Sequence, residues 1–204
     1  MKIIVITGPS GSGKSFLSKK LSKSFNNSII IKTDSYYRDN LLIRFLSIFL
    51  FDIYDRPISI KKTKLKETLR SIKNRDNIIS LYNYDFKRKY SSQTKKIIKY
   101  NEEIQFLIIE GIFAHRLDLD YKESVNIECK EKKEVCITRR LKRDKLERGR
   151  DDKDVMKKFD KSWYLFYKNV KNFINYNQVF QINPKDNTSY KKIVLYLKSL
   201  KKNN

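Results

Sequence analysis

Histidine, cysteine, proline and glycine are scarce in this chain of 204 residues, which has one histidine, two cysteines, three prolines and five glycines. His115, Cys129 and Cys136 lack the spacing of zinc ligands, so the sequence argues against a zinc site. Two cysteines without a pairing motif fit a reducing, cytoplasmic setting. No linker, proline- or serine-rich tract or internal repeat interrupts the chain, and its length suits one domain covering residues 1–204.

Long apolar runs are absent as well. The most apolar stretch, Leu41–Phe51, is about half the length of a membrane span, and Arg44 interrupts it. The apolar run at the N-terminus is too short for a secretion signal and leads directly into a glycine-rich segment. We therefore expect no membrane partner. Leu41–Phe51 is expected to be a helix that lies either in the core or at the interface of a homo-oligomer.

Acidic residues are few: 23 Asp and Glu stand against 46 Lys and Arg, which gives a formal net charge of +23. Such a charge can indicate nucleic-acid binding. The basic residues, however, are spread over the whole chain, and the sequence is also rich in residues with A/T-rich codons. Genomic base composition is therefore the first explanation, attraction of a polyanionic substrate the second, and a nucleic-acid partner the third.

The most informative segment that is present is Gly8–Ser15, with the sequence GPSGSGKS. A β-branched strand precedes it and a helical pattern follows it, so backbone N–H groups and the positive end of a helix converge on one point and can bind polyphosphate. Lys14 can reach the β- and γ-phosphates, and the Ser15 hydroxyl can bind Mg²⁺. A turn that merely links strand and helix is the alternative. The predicted ATP-binding residues here are Gly8, Ser10, Gly11, Ser12, Gly13, Lys14 and Ser15.

Short β-branched runs alternate with helical patterns along the chain. Strands are predicted at Ile3–Thr7, Ser28–Lys32, Ile104–Glu110, Val125–Cys129 and Val179–Ile182. Helices are predicted at Lys14–Phe25, Leu41–Phe51, Lys61–Asn74, Glu131–Arg148, Asp152–Phe173 and Ser189–Lys201. This alternation favours an α/β fold with a mostly parallel sheet and helices on both faces. Asn77–Phe86 and Lys95–Tyr100 break the rhythm and are expected to form an inserted β-hairpin.

Functional residues are expected just after the strands, because ligands of open α/β sheets gather at the carboxyl ends of the strands. Asp34 follows the second predicted strand. Its carboxylate can face the glycine-rich loop and take, or orient, the proton of a hydroxyl acceptor. The alternative is an aspartate that caps the next helix.

Four further motifs follow in order: Tyr54-Asp55-Arg56-Pro57, Tyr84-Asp85-Phe86, the strand that ends in Glu110, and the arginine-rich run 139–151. Together with the loop and Asp34, they resemble the uridine kinase family, which is allied to phosphoribulokinase. The resemblance implies a P-loop NTPase fold in one kinase domain, with the hairpin at about 77–100 and an arginine lid at about 139–151. It also implies ATP and Mg²⁺ as cofactors, and phosphorylation of a nucleoside 5′-hydroxyl.

The same resemblance implies how the acceptor is bound. Asp34 matches the family's catalytic acid and base. Tyr54 and Asp55 match the pair that holds the ribose, and Tyr84 and Phe86 match the aromatic residues that sandwich the base. The implied acceptor site consists of Asp34, Tyr37, Tyr54, Asp55, Tyr84, Phe86, Arg140 and Lys158.

Phosphate handling is implied for the arginine-rich run and for Glu110, which matches an acidic residue near the metal and would join Ser15 there. Planar guanidinium groups neutralise the charge that spreads over phosphoryl oxygens in the transition state. A solvated basic helix is the alternative. By the resemblance, Arg140 and Arg143 contact the transferring phosphate and the acceptor beside Lys14 and Asp34, and Arg148 and Arg150 close over ATP.

The sequence departs from the family at three acceptor-side positions. Lys89 replaces a histidine that reads the pyrimidine, Lys158 replaces a glutamine that contacts the sugar, and Arg56 replaces a histidine after the ribose aspartate. The reaction class is therefore better supported than the acceptor. Uridine or cytidine is the first expectation. Nicotinamide riboside, pantothenate or a sugar phosphate remains open, and a nucleic-acid-binding ATPase is the alternative from another class.

Overall fold

The computed structural model describes residues 1–25, 28–43, 45, 53–100, 106–117, 119 and 123–202. The strands are β1 (Lys2–Thr7), β2 (Ile29–Lys32), β3 (Ile78–Asp85), β4 (Tyr90–Ile97), β5 (Phe106–Glu110), β6 (Val125–Cys129) and β7 (Val179–Ile182). The helices are α1 (Lys14–Ser24), α2 (Lys62–Lys73), α3 (Lys133–Arg148), α4 (Asp152–Tyr176) and α5 (Asn187–Lys202).

Five parallel strands form the main sheet in the order β2-β5-β1-β6-β7. β1 lies at its centre, where Ile4 pairs with Ile108 on one side and with Val125 on the other. Alternate residues of β1 face two different cores. One core contains residues of α1 and α5, and the other contains residues of α2 and the hairpin. The prediction of a mostly parallel sheet between helices is confirmed, and the continuous apolar strands follow from burial on both faces.

β3 and β4 form a separate antiparallel hairpin, as predicted. Its second strand was placed wrongly, because β4 begins at Tyr90 rather than Lys95 and ends at Ile97 rather than Tyr100. The early part of β4 is polar, since only one side of the hairpin packs on the core. Pairing with β3 along its full length, rather than hydrophobic content, makes this segment a strand.

Two helices, α3 and α4, follow β6 and pack against each other. α3 is followed by the capping residue Gly149, which has a φ of +59° that favours glycine. α4 begins after Asp151, whose side chain accepts hydrogen bonds from the backbone N–H groups of Lys153 and Asp154. α3 contacts the glycine-rich loop, where Arg139 Nη1 donates to the carbonyl oxygen of Gly11 at 3.0 Å.

Most of the apolar stretch Leu41–Phe51 lies outside the described residues. Leu41, Leu42 and Phe45 are exposed, while Ile43 is buried. Both alternatives for this stretch, core and subunit interface, therefore stay predictions. In the part of the chain that the structure describes, no helix is both long and apolar enough to cross a bilayer.

Candidate active site

The glycine-rich loop between β1 and α1 takes a conformation that requires its glycines. Gly11 and Gly13 have φ values of +87° and +94°, which lie in the region that favours glycine. A Cβ atom at Gly11 would collide with the backbone carbonyl of Cys136 on α3. Gly13 is the N-cap of α1, so the loop leads directly into the positive end of that helix. This is the strand–turn–helix geometry of an anion-binding turn.

Lys14 is buried in the first turn of α1, and its ammonium group points back at the loop. Its Nζ donates hydrogen bonds of 2.9 Å to the carbonyl oxygens of both Gly8 and Pro9. Burial lowers the pKa of Lys14, and the carboxylates of Asp34 and Glu110 act against this shift. The ammonium group is therefore held between the loop carbonyls and two carboxylates, which is a suitable position for contacting a bound phosphate.

Ser15 and Glu110 are 95 residues apart in sequence and are joined by hydrogen bonds. The Ser15 hydroxyl donates to both carboxylate oxygens of Glu110, at 2.8 and 3.0 Å. Glu110 ends β5 and is 3% exposed. Burial raises the pKa of Glu110, while Lys14 and the Ser15 hydrogen bond act to lower it. A hydroxyl and a carboxylate are hard oxygen ligands, so this pair fits Mg²⁺ whose remaining ligands are water and phosphate.

Asp34 lies after β2, in the short 3-10 turn Thr33–Tyr36, and lines a cavity of about 290 Å³. Ser10 of the glycine-rich loop lines the same cavity. The other lining residues are Tyr37, Tyr54, Tyr84, Phe86, Lys87, Lys89, Ile112, Arg140, Arg143, Arg148, Arg150, Asp154 and Lys158. The structure thus brings the loop, Asp34, the aromatic residues and the arginine segment to one cavity. The side chain of Asp55 lies outside the described part of the chain.

Four aromatic rings form one wall of the cavity. Tyr37 is central and contacts Tyr54, Tyr84 and Phe86 with centroid distances of 5.6, 5.4 and 5.9 Å. Tyr84 and Phe86 contact each other edge to face at 5.2 Å and 81°. A flat base cannot lie between them in this arrangement, so the implied sandwich is not the geometry seen here. The wall offers ring faces and the Tyr84 and Tyr54 hydroxyls, which are 3.3 Å apart.

The arginine segment is organised by Asp144, a residue to which the sequence analysis gave no role. Arg143 donates to Asp144 Oδ1 from Nη2 at 2.7 Å and from Nε at 2.9 Å, and its Nη2 also lies 3.2 Å from Ser10 Oγ. Arg150 donates to Oδ2 at 3.3 Å. The signal that could have shown this is the position of Asp144, four residues after Arg140 and four before Arg148.

Arg140 and Arg148 both line the cavity but make different contacts. Arg140 is 4% exposed and donates to Ser162 Oγ of α4 at 2.9 Å, which links α3 to α4. The Arg148 guanidinium lies 3.7 Å from the centroid of the Phe86 ring. Burial lowers the pKa of Arg148 to about 10. Because Arg148 covers one face of Phe86, a base that stacks on that face has to displace it.

The three positions that depart from the family lie in different surroundings. Lys89 is in the hairpin turn with a φ of +51°, and its exposed side chain lines the cavity. Lys158 lines the cavity too, but its Nζ donates to Asp154 at 2.7 Å. Arg56 is exposed and is not among the described residues that line the cavity. Of these three positions, Lys89 is the one that presents an exposed ammonium group to the cavity, and Lys87 in the same hairpin turn adds a second.

His115 contacts Thr7, the last residue of β1. Thr7 Oγ1 donates to the Ile112 carbonyl at 2.9 Å and lies 2.7 Å from His115 Nδ1, so the proton on that nitrogen donates to Thr7. The ring packs on Phe166 and Phe173. Burial lowers the pKa of His115 to about 3, so the imidazole is neutral in the folded protein.

The neutral state of His115 predicts a loss of stability in mild acid. The unfolded chain takes up this proton below its ordinary pKa of about 6.5, whereas the folded protein does so only near pH 3. The penalty begins below about pH 6.5 and reaches about 2 kcal/mol at pH 5. Denaturant unfolding of the wild type and of His115→Asn, which keeps an N–H donor, should show the difference. An equal loss between pH 7 and pH 5 in both proteins would contradict it.

Comparison with known proteins identifies a family and a shared fold. A model of the phosphoribulokinase/uridine kinase family matches residues 3–189. The uridine kinase of Streptococcus uberis is 31% identical over 166 residues, which cover 77% of this chain and 74% of that protein. The uridine kinase of Alkaliphilus metalliredigens is 33% identical over 163 residues, with coverage of 76% and 74%. The solved structure of a possible uridine kinase from Bacillus stearothermophilus has 16% identity and a TM-score of 0.54 over 88% of each chain, and shows the fold.

The fold and the site define a P-loop phosphotransferase that acts on a hydroxyl acceptor. The match extends over most of the chain, from β1 to the start of α5. The chain belongs to the phosphoribulokinase/uridine kinase family.

Proposed function

We propose that the protein transfers the γ-phosphoryl group of ATP to the 5′-hydroxyl of uridine or cytidine. The observation that carries this proposal is one cavity in which Asp34 lies with Ser10 of the phosphate-binding loop and with an aromatic wall. A hydroxyl placed beside Asp34 would face a phosphate bound at the loop. The aromatic wall suits the flat ring of a nucleoside.

In the proposed reaction, the hydroxyl oxygen of the acceptor forms a bond to the γ-phosphorus while Asp34 accepts the hydroxyl proton. The bond from that phosphorus to the bridging oxygen breaks, and ADP leaves with the electron pair. Lys14 and Arg143 neutralise the charge on the phosphoryl oxygens. Both are positioned at the loop, because Lys14 donates to loop carbonyl oxygens and Arg143 donates to Ser10. Ser15 and Glu110 would hold Mg²⁺, which neutralises phosphate charge when bound.

The arginines at the end of α3 are proposed to close over the nucleotide. Gly149 breaks the helix, and Arg148 and Arg150 on either side of it line the cavity. Closure would exclude water, so that the hydroxyl of the acceptor rather than water attacks the phosphorus. Arg140 would act mainly by fixing α3 on α4, because its buried side chain donates to Ser162.

An acceptor other than a pyrimidine nucleoside is the second candidate, and the exposed lysines of the hairpin turn favour it. Lys87 and Lys89 would attract an acceptor with an anionic group, such as a sugar phosphate or pantothenate. A nucleic-acid-binding ATPase is disfavoured because the cavity is lined for a small molecule. A cytoplasmic location and a homo-oligomer remain part of the proposal.

A screen of ATP consumption over nucleosides, vitamins and sugar phosphates tests the proposed reaction directly. Uridine or cytidine should give the largest stimulation over ATP alone. Turnover should also fall little between about 50 and 200 mM salt, because a free nucleoside has no phosphate backbone. Binding to such a backbone would weaken by orders of magnitude over the same range. Stimulation only by nucleic acid, with a steep salt dependence, would overturn the proposal.

We expect this protein to discriminate less between acceptors than a family member that has histidine and glutamine at the positions of Lys89 and Lys158. Lys89 and Lys158 are donors that cannot accept a hydrogen bond when charged, so they read a base edge poorly. Uridine and cytidine should have similar kcat/KM values, or an anionic acceptor should outcompete both. The measurement is kcat/KM for uridine, cytidine and a phosphorylated sugar. A preference for uridine of about a hundredfold over both competitors would contradict this expectation.

A further inference from the structure

Four arginines of the α3 segment converge on a single carboxylate. Arg143 and Arg148 lie 2.7 and 3.5 Å from Asp144 Oδ1. Arg150 and Arg140 lie 3.3 and 3.7 Å from Oδ2. Asp144 itself has no exposed surface. Each carboxylate oxygen is thus shared by two guanidinium groups, and the carboxylate lies beneath the surface that faces the cavity.

The backbone of Asp144 also defines the turn that carries two of these arginines. Its carbonyl oxygen accepts hydrogen bonds from the backbone N–H groups of Gly149 and of Arg150, the latter at 3.2 Å. The side chain and the main chain of one residue therefore fix both the guanidinium groups and the turn. Asp144 reaches the loop through Arg143, which lies 3.2 Å from Ser10.

The cluster is incompletely neutralised. Four guanidinium groups share one ion-paired carboxylate, and Asp34 adds a further favourable electrostatic interaction with Arg148. Burial acts to raise the pKa of Asp144, but the arginines, Arg143 foremost, lower it below its ordinary value, so the carboxylate is ionised. Among the described residues, Arg148 Nε is buried without a hydrogen-bond acceptor, whereas Arg140 Nε faces Asp144 Oδ2 at 3.7 Å. Buried donors of this kind are normally satisfied, so the cluster has capacity for a further anion.

We propose that Asp144 is a positioning residue, which holds Arg143, Arg148 and Arg150 in a preformed array that receives the transferring phosphate. The proposal rests on the proposed phosphoryl transfer. In the empty protein Asp144 provides part of the counter-charge that phosphate oxygens provide when nucleotide is bound. Because the arginines are anchored before the nucleotide arrives, little reorganisation remains for the transition state. Without the Asp144 carboxylate, the arginine side chains can still contact phosphate, but they do so in many different conformations.

The test compares the wild type with Asp144→Asn, which keeps the size of the side chain and removes its charge. Asp160→Asn is the matched control, since Asp160 is an exposed carboxylate of α4 that pairs with Lys133. ATP affinity is measured by calorimetry without an acceptor, and kcat with the best acceptor of the screen. In Asp144→Asn we expect the Kd for ATP to stay within about threefold and kcat to fall about a hundredfold, as misplacement by about 1 Å can cause. The control should change neither.

A second measurement does not depend on the acceptor. Inorganic tripolyphosphate should raise the melting temperature of Asp144→Asn by more than that of the wild type, because it supplies the counter-charge that the variant lacks. If the screen finds no acceptor, the proposed function fails while this measurement still decides the role of Asp144. Asp144→Ser, which is smaller, repeats both measurements if Asp144→Asn does not fold.

Four results would overturn the proposal. The first is a kcat within threefold of the wild type. The second is a loss of ATP affinity in proportion to the loss of kcat, which indicates a merely structural role. The third is a shift by tripolyphosphate no larger than that of the wild type. The fourth is the failure of both variants to fold, which would make Asp144 a folding residue.

Discussion

Asp34→Asn is expected to slow turnover by about 10²- to 10⁴-fold while ATP still binds. The substitution keeps the size of the side chain and removes the charge that accepts the hydroxyl proton. Asp34 lines the cavity, half-buried, and the hydrogen bonds described for the phosphate-binding loop include those of Lys14, Arg139 and Arg143 and none from the Asp34 carboxylate. The folded structure should therefore survive. Steady-state kinetics and calorimetry with ATP measure the two effects separately.

The control for Asp34 is Asp76→Asn, the same chemical change at an exposed position after α2. Its turnover should equal that of the wild type. An Asp34→Asn protein that loses ATP affinity but keeps its maximal rate would show that Asp34 supports the nucleotide rather than the acceptor. The acceptor role proposed for it would then be wrong.

Lys14→Ala is expected to reduce activity by about 10³-fold or more, because it removes the only charge that the loop itself presents to the β- and γ-phosphates. The buried ammonium group contacts two loop carbonyls, so the variant also loses part of what orders the loop. ATP binding should weaken together with turnover, in contrast to Asp34→Asn. Kinetics over a range of ATP concentrations distinguish the two patterns.

Lys19→Ala provides the comparison for Lys14, since Lys19 is an exposed lysine on the same helix. It should leave both kcat and the KM for ATP unchanged. Activity of Lys14→Ala within a few fold of the wild type would mean that nucleotide does not bind at this loop. The proposals for Ser15 and Glu110 would fail with it, because they place the metal beside the same phosphates.

The sequence predicted best those elements whose signal is local. β6 and β7 have the predicted bounds, because strands that are buried on both faces read as continuous apolar runs. The glycine-rich loop was equally readable, since positive φ values and a helix N-terminus are determined by neighbouring residues. β4 was misplaced because its polar first half becomes a strand only by pairing with β3.

The aromatic wall shows a limit of reading a site from a resemblance. Tyr37, Tyr54, Tyr84 and Phe86 were all singled out, and all of them line one cavity. Their mutual orientation was not readable, and Tyr84 and Phe86 meet edge to face rather than as parallel plates. Ring orientation depends on neighbours from distant segments, including the Arg148 guanidinium over Phe86. Packing of this kind leaves no periodic trace in the sequence.

The sequence by itself determined the phosphate-binding loop, the alternation that builds the parallel sheet, and the residue types that handle phosphate. Only the tertiary structure decided which of these residues meet. Ser15 joins Glu110 because β1 and β5 are adjacent strands, and Arg143 reaches Ser10 because α3 packs against the loop, where Arg139 donates to Gly11. Asp144 can position the arginines because it is buried. An exposed carboxylate among arginines is screened by water, whereas a buried carboxylate must be paired and thereby fixes the guanidinium groups around it.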